Sequence, residues 1–458
     1  MNIPVEKNKE YIVDIIDNGF EGEGIAKIDG FTVFIPKAIK GEKIKILIVK
    51  VLSSHAFGKI IEILSKSEHR IEEDCATYKR CGGCNLRHID YEETLNIKQN
   101  TVQTLVNKTL ENKINVNKTW GMGNPYNYRN KLIYPVGISR DGTPTIGVYA
   151  NRTHEIIPIQ DCMIQNKEAT KIAKYIITLI EKYNISVYNE NNGTGLIRSI
   201  MIKTGLKTNQ ILVTLVINGD VLPCVDDIKK DLINSFNNIK SIVININKKN
   251  TNVVLGENNK VIFGSGYMED YLGDFLFKVS TNSFFQVNPV QAEALYNIAL
   301  ENLHISKDDI IFDLYCGIGT ITLFASKFAK KVYGIEIVNQ AIEDARQNAI
   351  GNNIDNTEFI AGDVEKILSN LIDNNIIPNI VIVDPPRRGL DKITIENIIK
   401  IGPERFAYIS CNPATLVRDL KEFEKFYNID FIQPVDMFPY TSHVECVTLL
   451  KQKNQEGK

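Results

Sequence analysis

The chain has 458 residues, room for about three domains at roughly 100 to 200 residues each. Hydrophobic residues make up 43% and charged residues 24%, which excludes wholesale disorder, collagen and coiled coil. Lys+Arg 53 against Asp+Glu 55 gives a formal net charge of -2, so no bulk positive charge draws the molecule onto polyanions and any nucleic-acid contact must be local. No run of about 18 apolar residues appears, and the start MNIPVEKNKEY has no charged segment leading into an apolar one. A cytoplasmic protein is expected.

The first 65 residues read as short strands, YIVDIID, GIAKI, FTVFIP, KIKILIVKVL and AFGKIIEIL, separated by glycine turns. That spacing predicts a small OB-like β-barrel over residues 1–65. Between Phe31 and Ile61 it holds Lys37, Lys40, Lys43, Lys45, Lys50 and Lys59 against a single acid, Glu42. A basic face suits phosphate contact, and lysines also keep an edge strand from pairing. From Pro4 to Ser65 the segment resembles a TRAM domain, a barrel appended to several RNA-modifying enzymes, which implies RNA as the partner without naming a reaction.

A polar connector follows, SKSEHRIEEDCATYKRCGGCNLRHIDYEE, and runs into a helix predicted from Tyr91 to Asn112. A helical region over about 91–124 is placed against the C-terminal domain. The connector carries Cys75-x5-Cys81-x2-Cys84, and Cys162 is the obvious fourth thiol. Eight cysteines are too few for a disulfide scaffold, so clustered ones read as metal ligands or nucleophiles. Four thiolates suit zinc and an iron-sulfur cluster equally on ligand type. Cys224 and Cys316 read as packing residues, and Cys446 as core.

Residues 66–280 mix strands (KLIYPVG, TIGVYA, IRSIMIKTG, QILVTLVING, SIVININ) with helices (EATKIAKYIITLIEKY, DDIKKDLINSF), which predicts a middle α+β domain whose function is not legible from pattern. Residues 281–458 alternate apolar strands and amphipathic helices, the mark of a Rossmann-like doubly wound α/β sheet. The tail KQKNQEGK reads as mobile.

In such a sheet ligands sit at the carboxyl ends of the strands. The strand IIFDLY runs straight into Cys316-Gly-Ile-Gly-Thr320. Gly317-x-Gly319-x-x-Thr322 lacks the third glycine of a dinucleotide fingerprint, and Asp313 lies just upstream, which fits nicotinamide binding poorly. S-adenosylmethionine fits better, because it carries a ribose diol and an ammonium-bearing tail and no pyrophosphate. Glu336, ending VYGIE, is placed for the ribose hydroxyls, and Asp363, ending the third strand, for the adenine. The fourth strand ends in Asp384 and two prolines, a stiff loop where a methyl acceptor would meet the cofactor.

The next strand ends in Ser410-Cys411-Asn412-Pro413 before the helix ATLVRDLKEF. Taken singly, a cysteine there is more often a small buried apolar residue. Its position one strand after the DPP turn, near a helix N-terminus and Arg387 or Arg388, predicts a thiol of lowered pKa. Glu445, in His443-Val-Glu-Cys446, offers a carboxylate base.

The segments DLYCGIGT, DPPRRG, SCNPATLVRDL and HVECV, preceded by STNSFFQVN, look like the RNA (uracil-C5)-methyltransferase family from Ser280 to Leu450. With the TRAM-like segment and the cysteine cluster, the order of parts resembles the branch that makes 5-methyluridine in 23S ribosomal RNA. The resemblance implies a class I methyltransferase domain in which Gln286, Tyr315, Glu336, Asp363 and Asp384 hold S-adenosylmethionine or the target base. It further implies Cys411 as nucleophile, Glu445 as base, and a [4Fe-4S] cluster on Cys75, Cys81, Cys84 and Cys162. The reacting uridine must be single-stranded or flipped out, and Phe284 or Phe285 is placed to stack on a base. A tRNA substrate is the alternative within the same chemistry; the resembling tRNA enzymes typically lack the barrel and the cysteines. No obligate protein partner is evident.

Overall fold

The computed structural model describes residues 3–150 and 153–453, so the last five residues of the tail KQKNQEGK lie outside the described residues. The amino-terminal segment contains β1 (Glu10–Asp14), β2 (Asp17–Asn18), β3 (Gly24–Ile28), β4 (Phe31–Ile35), β5 (Lys43–Val51) and β6 (His55–Ser65) in one sheet, order β1-β5-β6-β4-β3-β2. Alternation drives it: Ile44, Ile46 and Ile48 of β5 turn inward onto Val13, Ala26, Val33 and Ile35.

The expected closed barrel is corrected to a curled, open sheet. Its end strands β1 and β2 share no ladder, being consecutive stretches of chain that bond in opposite directions. Ile15 N–H donates to Glu42 O and Ile16 N–H to Ile25 O, so the chain crosses from one end of the sheet to the other at that bend. The basic face is also smaller than the sequence suggests. Lys45 pairs with Glu10 at 2.6 Å, and Lys37 donates to Tyr78 O at 3.3 Å while lying 4.2 Å over the Tyr78 ring. Glu42 is buried, and Arg70 binds its carboxylate at 2.5 and 2.8 Å.

The connector leads to α1 (Tyr91–Thr109), capped by the Asp90 side chain, which accepts from Glu93 N–H. Its apolar face, Val102 and Val106, buries in the core that contains Leu416 and Leu420 of the C-terminal domain. The middle sheet joins β7 (Lys131–Ile138), β8 (Pro144–Tyr149), β9 (Ile156–Pro158), β10 (Ile197–Thr204), β11 (Ile211–Ile217), β12 (Ile239–Ile246) and β13 (Asn258–Phe263) in the order β13-β12-β11-β10-β7-β8-β9. Helices α2 (Lys167–Lys182) and α3 (Val225–Ser235) pack on it. The hairpin β14 (Tyr267–Leu272) and β15 (Phe275–Ser280) buries Phe275 and Phe277 in the C-terminal domain's core.

That last domain begins with α4 (Pro289–Leu303) and continues through β16 (Ile310–Leu314), α5 (Thr320–Ser326), β17 (Lys331–Glu336), α6 (Asn339–Gly351), β18 (Thr357–Ala361) and α7 (Val364–Asp373). It ends with β19 (Ile380–Val383), α8 (Lys392–Ile401), β20 (Arg405–Ser410), α9 (Pro413–Phe423), β21 (Tyr427–Val435) and β22 (Glu445–Gln452). The sheet order is β18-β17-β16-β19-β20-β22-β21, with the first five strands parallel and β22 antiparallel to both neighbours. Strands buried on both faces read as continuous apolar runs, as in IVIV of β19, every residue of which is buried. The chain winds outward from β16 and returns to β19 on its other side, so a crevice opens at their carboxyl ends.

Candidate active site

The crevice holds a cavity of about 590 Å³ whose walls include Gln286, Tyr315, Glu336, Asp363, Asp384, Cys411 and Glu445. One pocket therefore gathers all seven residues expected to bind or react. After β16 the chain turns sharply: Tyr315, Gly317 and Gly319 have φ of 67°, 55° and 82°. Gly319 is required twice over, since a Cβ there would also lie 3.0 Å from the Phe359 ring. The Glu336 carboxylate accepts from Val338 N–H at 3.0 Å and Gly317 N–H at 3.4 Å, so backbone amides fix it at the end of β17. Asp363 caps α7 by accepting from Glu365 N–H at 3.1 Å. Below the turn, Thr322 donates to the buried Asp313 at 2.5 Å, and burial pushes the Asp313 carboxyl up to about 7.

The Asp384 loop and the Cys411 turn are tied together. Asn412 Nδ2 donates to Arg387 O at 3.0 Å, and Arg418 of α9 donates to Arg388 O at 2.9 Å. Asn412 also caps α9 by accepting from Ala414 N–H at 3.1 Å. Despite that helix start, the expected low thiol pKa is corrected. Burial, then Glu445, then Asp384 push Cys411 up to about 11, and these outweigh Arg387, which draws it down. Burial raises the Asp384 and Glu445 carboxyls as well, and for Glu445 the nearby Asp384 adds to the effect. In the free chain, burial thus favours the neutral forms of the Cys411 thiol and of the Asp384 and Glu445 carboxyls.

The two phenylalanines divide. Phe284 is 63% exposed at the cavity rim, whereas Phe285 is 5% exposed and belongs to the core. Sequence reasoning missed Tyr296, Phe438 and His443, which also line the cavity. Tyr296 sits on α4 among apolar residues that read as core, while His443 stood in the HVECV segment already noted.

Cys75, Cys81, Cys84 and Cys162 line a second cavity of about 220 Å³, and burial raises the Cys81, Cys84 and Cys162 thiols. Among the described residues no group of three or more His, Cys, Asp or Glu has the arrangement to hold a metal ion. Arg87 Nη1 and Arg129 Nε, buried and without hydrogen-bond partners, belong to side chains that line the same cavity. Unpaired buried guanidinium donors are costly and suit an anionic occupant. Cys316 and Cys446 are buried as expected, but Cys224 is corrected to an exposed residue, at φ 52° just before α3. A larger cavity of about 870 Å³ lies beside the middle sheet and contains none of the residues singled out from the sequence. No helix among the described residues is long and apolar enough to cross a membrane.

Comparison with known proteins follows the same division. The family described as tRNA (Uracil-5-)-methyltransferase matches residues 168–453, and the TRAM domain matches residues 4–61. An uncharacterized RNA methyltransferase of Clostridium acetobutylicum is 46% identical over 454 residues, covering 98% of each chain. Another, of Clostridium tetani, is 44% identical over 458 residues, 100% of this chain and 99% of that one. Among solved structures, the Pyrococcus abyssi tRNA (uracil-54, C5)-methyltransferase in complex with S-adenosyl-L-homocysteine matches with a TM-score of 0.77 and 26% identity, covering 96% of this chain and 100% of that one.

Proposed function

The chain belongs to the tRNA (Uracil-5-)-methyltransferase family and is an S-adenosylmethionine-dependent RNA methyltransferase, and from that premise we propose that it makes 5-methyluridine in 23S ribosomal RNA in the cytoplasm. The observation that carries the reading is the single cavity in which Cys411 and Glu445 face the strand-end acids Glu336, Asp363 and Asp384.

Carbon 5 of uracil is too weak a nucleophile to accept a methyl group until a sulfur adds at carbon 6 and makes the ring an enolate. Cys411 performs that addition. It is a thiol in the free chain, so addition begins with transfer of its proton to the nearby Asp384 carboxylate, which leaves Glu445 ionised for the later proton removal. Gln286, Tyr315, Glu336 and Asp363 would hold the cofactor, which would supply a sulfonium-activated methyl group to carbon 5 and be left as the thioether. Glu445 then takes the carbon 5 proton; that electron pair forms the 5,6 double bond, and Cys411 leaves as thiolate. Phe284 at the rim offers a face for a neighbouring or flipped base.

The four cysteines fit a [4Fe-4S] cluster by donor type. The cavity these thiols line also takes in Tyr78, Tyr134 and Ile159, and the unpaired Arg87 and Arg129 donors on its wall suit the negative charge of such a cluster. Such a cluster would tie the connector to the middle domain. Iron and acid-labile sulfide in anaerobically purified protein, lost in Cys81→Ser, test this assignment; zinc alone would overturn it.

Transfer RNA is the second reading. The solved enzyme named for a tRNA uridine aligns over 96% of this chain, amino-terminal region included, which weakens the use of that region to single out ribosomal RNA. Labelled S-adenosylmethionine with unmodified 23S rRNA and, separately, unmodified tRNA decides between them. Label in 5-methyluridine of 23S rRNA supports the proposal, and label confined to tRNA overturns it in favour of the second reading.

A further inference from the structure

We propose that Asn85 and Arg87, beside the last cysteine of the connector, are positioning residues that hold Glu445 in place for proton removal. The inference rests on Glu445 being the base. Glu445 opens β22, and the loop before it, Phe438 to Val444, contributes Phe438 and His443 to the same cavity wall. This loop has little regular structure of its own. Tyr440, buried at its centre, has a φ of 63°, a conformation that a non-glycine residue keeps only when its surroundings impose it.

Lys98 and Tyr128 donate to Phe438 O and Pro439 O at the start of the loop, and the cysteine connector holds the stretch from Tyr440 to Ser442 that runs up to Glu445. Asn85 and Leu86 N–H both donate to Tyr440 O, at 3.2 and 3.0 Å. The Asn85 side chain accepts from Ser442 N–H at 2.8 Å and donates to Ser442 Oγ at 2.8 Å and to Glu21 O at 2.6 Å. The Arg87 guanidinium lies 4.5 Å over the Tyr440 ring and 5.2 Å over the Tyr126 ring. Arg87 is in turn held by Asp74, next to Cys75, at 2.5 and 2.8 Å. Two connector residues just after the last thiol thus brace the loop that ends in Glu445, and Asp74, just before the first thiol, holds one of them. The loop's internal bonds are few: Thr441 Oγ1 donates to Phe438 O and accepts from His443 N–H. Freed from the connector, the loop would keep its composition but lose the geometry that a proton transfer requires.

A lost position of Glu445 has a signature that general destabilisation lacks. Addition of Cys411 and methyl transfer precede the Glu445 step, so a misplaced base lets the covalent, methylated RNA-protein complex form and slows its breakdown. The test uses full-length, metal-loaded protein with whichever unmodified RNA accepts label, and follows the complex on denaturing gels together with bound metal. Asn85→Ala and Tyr440→Gly are expected to form the complex and to release it about tenfold to a hundredfold more slowly. Asn85→Asp keeps the acceptor for Ser442 N–H but sets a carboxylate oxygen against Glu21 O, and is expected to recover only part of the release rate. Loss of formation and release in equal measure, or no change in either, overturns the proposal if Glu445→Gln traps the complex. If Glu445→Gln fails to trap, the base assignment falls first and the proposal with it. Should Asn85→Ala lose its metal, Tyr440→Gly, which leaves the connector sequence intact, decides alone.

Discussion

Lys98 and Asp436 form an ion pair with both side chains buried, although 338 residues separate them in the chain. Tyr91 donates to the same carboxylate at 2.7 Å and accepts from Met122 N–H at 2.8 Å, while Lys98 also donates to Phe438 O at 3.1 Å. Helix α1 is therefore fastened to the segment that leads into the cavity wall. Burial lowers the Lys98 pKa and Asp436 raises it, so the ammonium depends on its partner. Lys98→Ala leaves a buried carboxylate uncompensated and should destabilise the C-terminal domain by about 3 to 5 kcal/mol, whereas Lys98→Met with Asp436→Leu should recover most of that. Thermal unfolding followed by calorimetry distinguishes the two. Equal losses would mean that the pair matters only for packing.

Cys411→Ala should abolish both methylation and the covalent complex. Glu445→Gln should cut turnover by about 100-fold to 10,000-fold and accumulate methylated RNA bound to protein. Normal turnover by Glu445→Gln, with no trapped complex on a denaturing gel, would remove Glu445 from the role of base.

The raised thiol pKa makes a claim about the free enzyme. With Cys411 near 11, its alkylation by iodoacetamide should rise about tenfold per pH unit through neutral and mildly alkaline pH, tracking the thiolate. Glu445 is among the groups that raise this pKa, so removing its charge in Glu445→Gln should shift the profile to lower pH. Peptide mapping of alkylated Cys411 reads the shift directly. A plateau already reached below pH 8 would contradict the buried, carboxylate-flanked environment.

Phe284 and Phe285 should separate RNA binding from folding. Phe284→Ala removes an exposed ring and should weaken RNA binding by about 1 to 3 kcal/mol while leaving thermal stability nearly unchanged. Phe285→Ala empties a core position and should cost about 3 to 5 kcal/mol of stability. Filter binding and calorimetry on the two variants check both halves, and interchange of the effects would reverse the assignment.

Strand ends were legible from local pattern. In a parallel sheet buried on both faces, apolar runs such as IVIV mark the strands, and the next residue falls at the carboxyl edge. Local pattern therefore suffices to place Glu336, Asp384 and Cys411 beside one crevice. It does not place Tyr296, because a tyrosine on an apolar helix has the same local signature in core and in a cavity wall. The amino-terminal sheet shows the same limit. Its strands follow from alternation, but whether the ends close depends on one bend at Ile15 and Ile16 whose partners are distant in sequence.

By itself, then, the sequence determined which residues gather at the strand ends around one cavity and in what order the strands deliver them, since both depend on short-range periodicity and motif spacing. Tertiary structure alone decided the direction of the Cys411 pKa shift, the different burial of Phe284 and Phe285, and the contacts of Asn85 and Arg87 with the loop before Glu445. Each of these is a sum over neighbours contributed by remote parts of the chain. Desolvation, charge and hydrogen bonding act through space, and no window of sequence contains them.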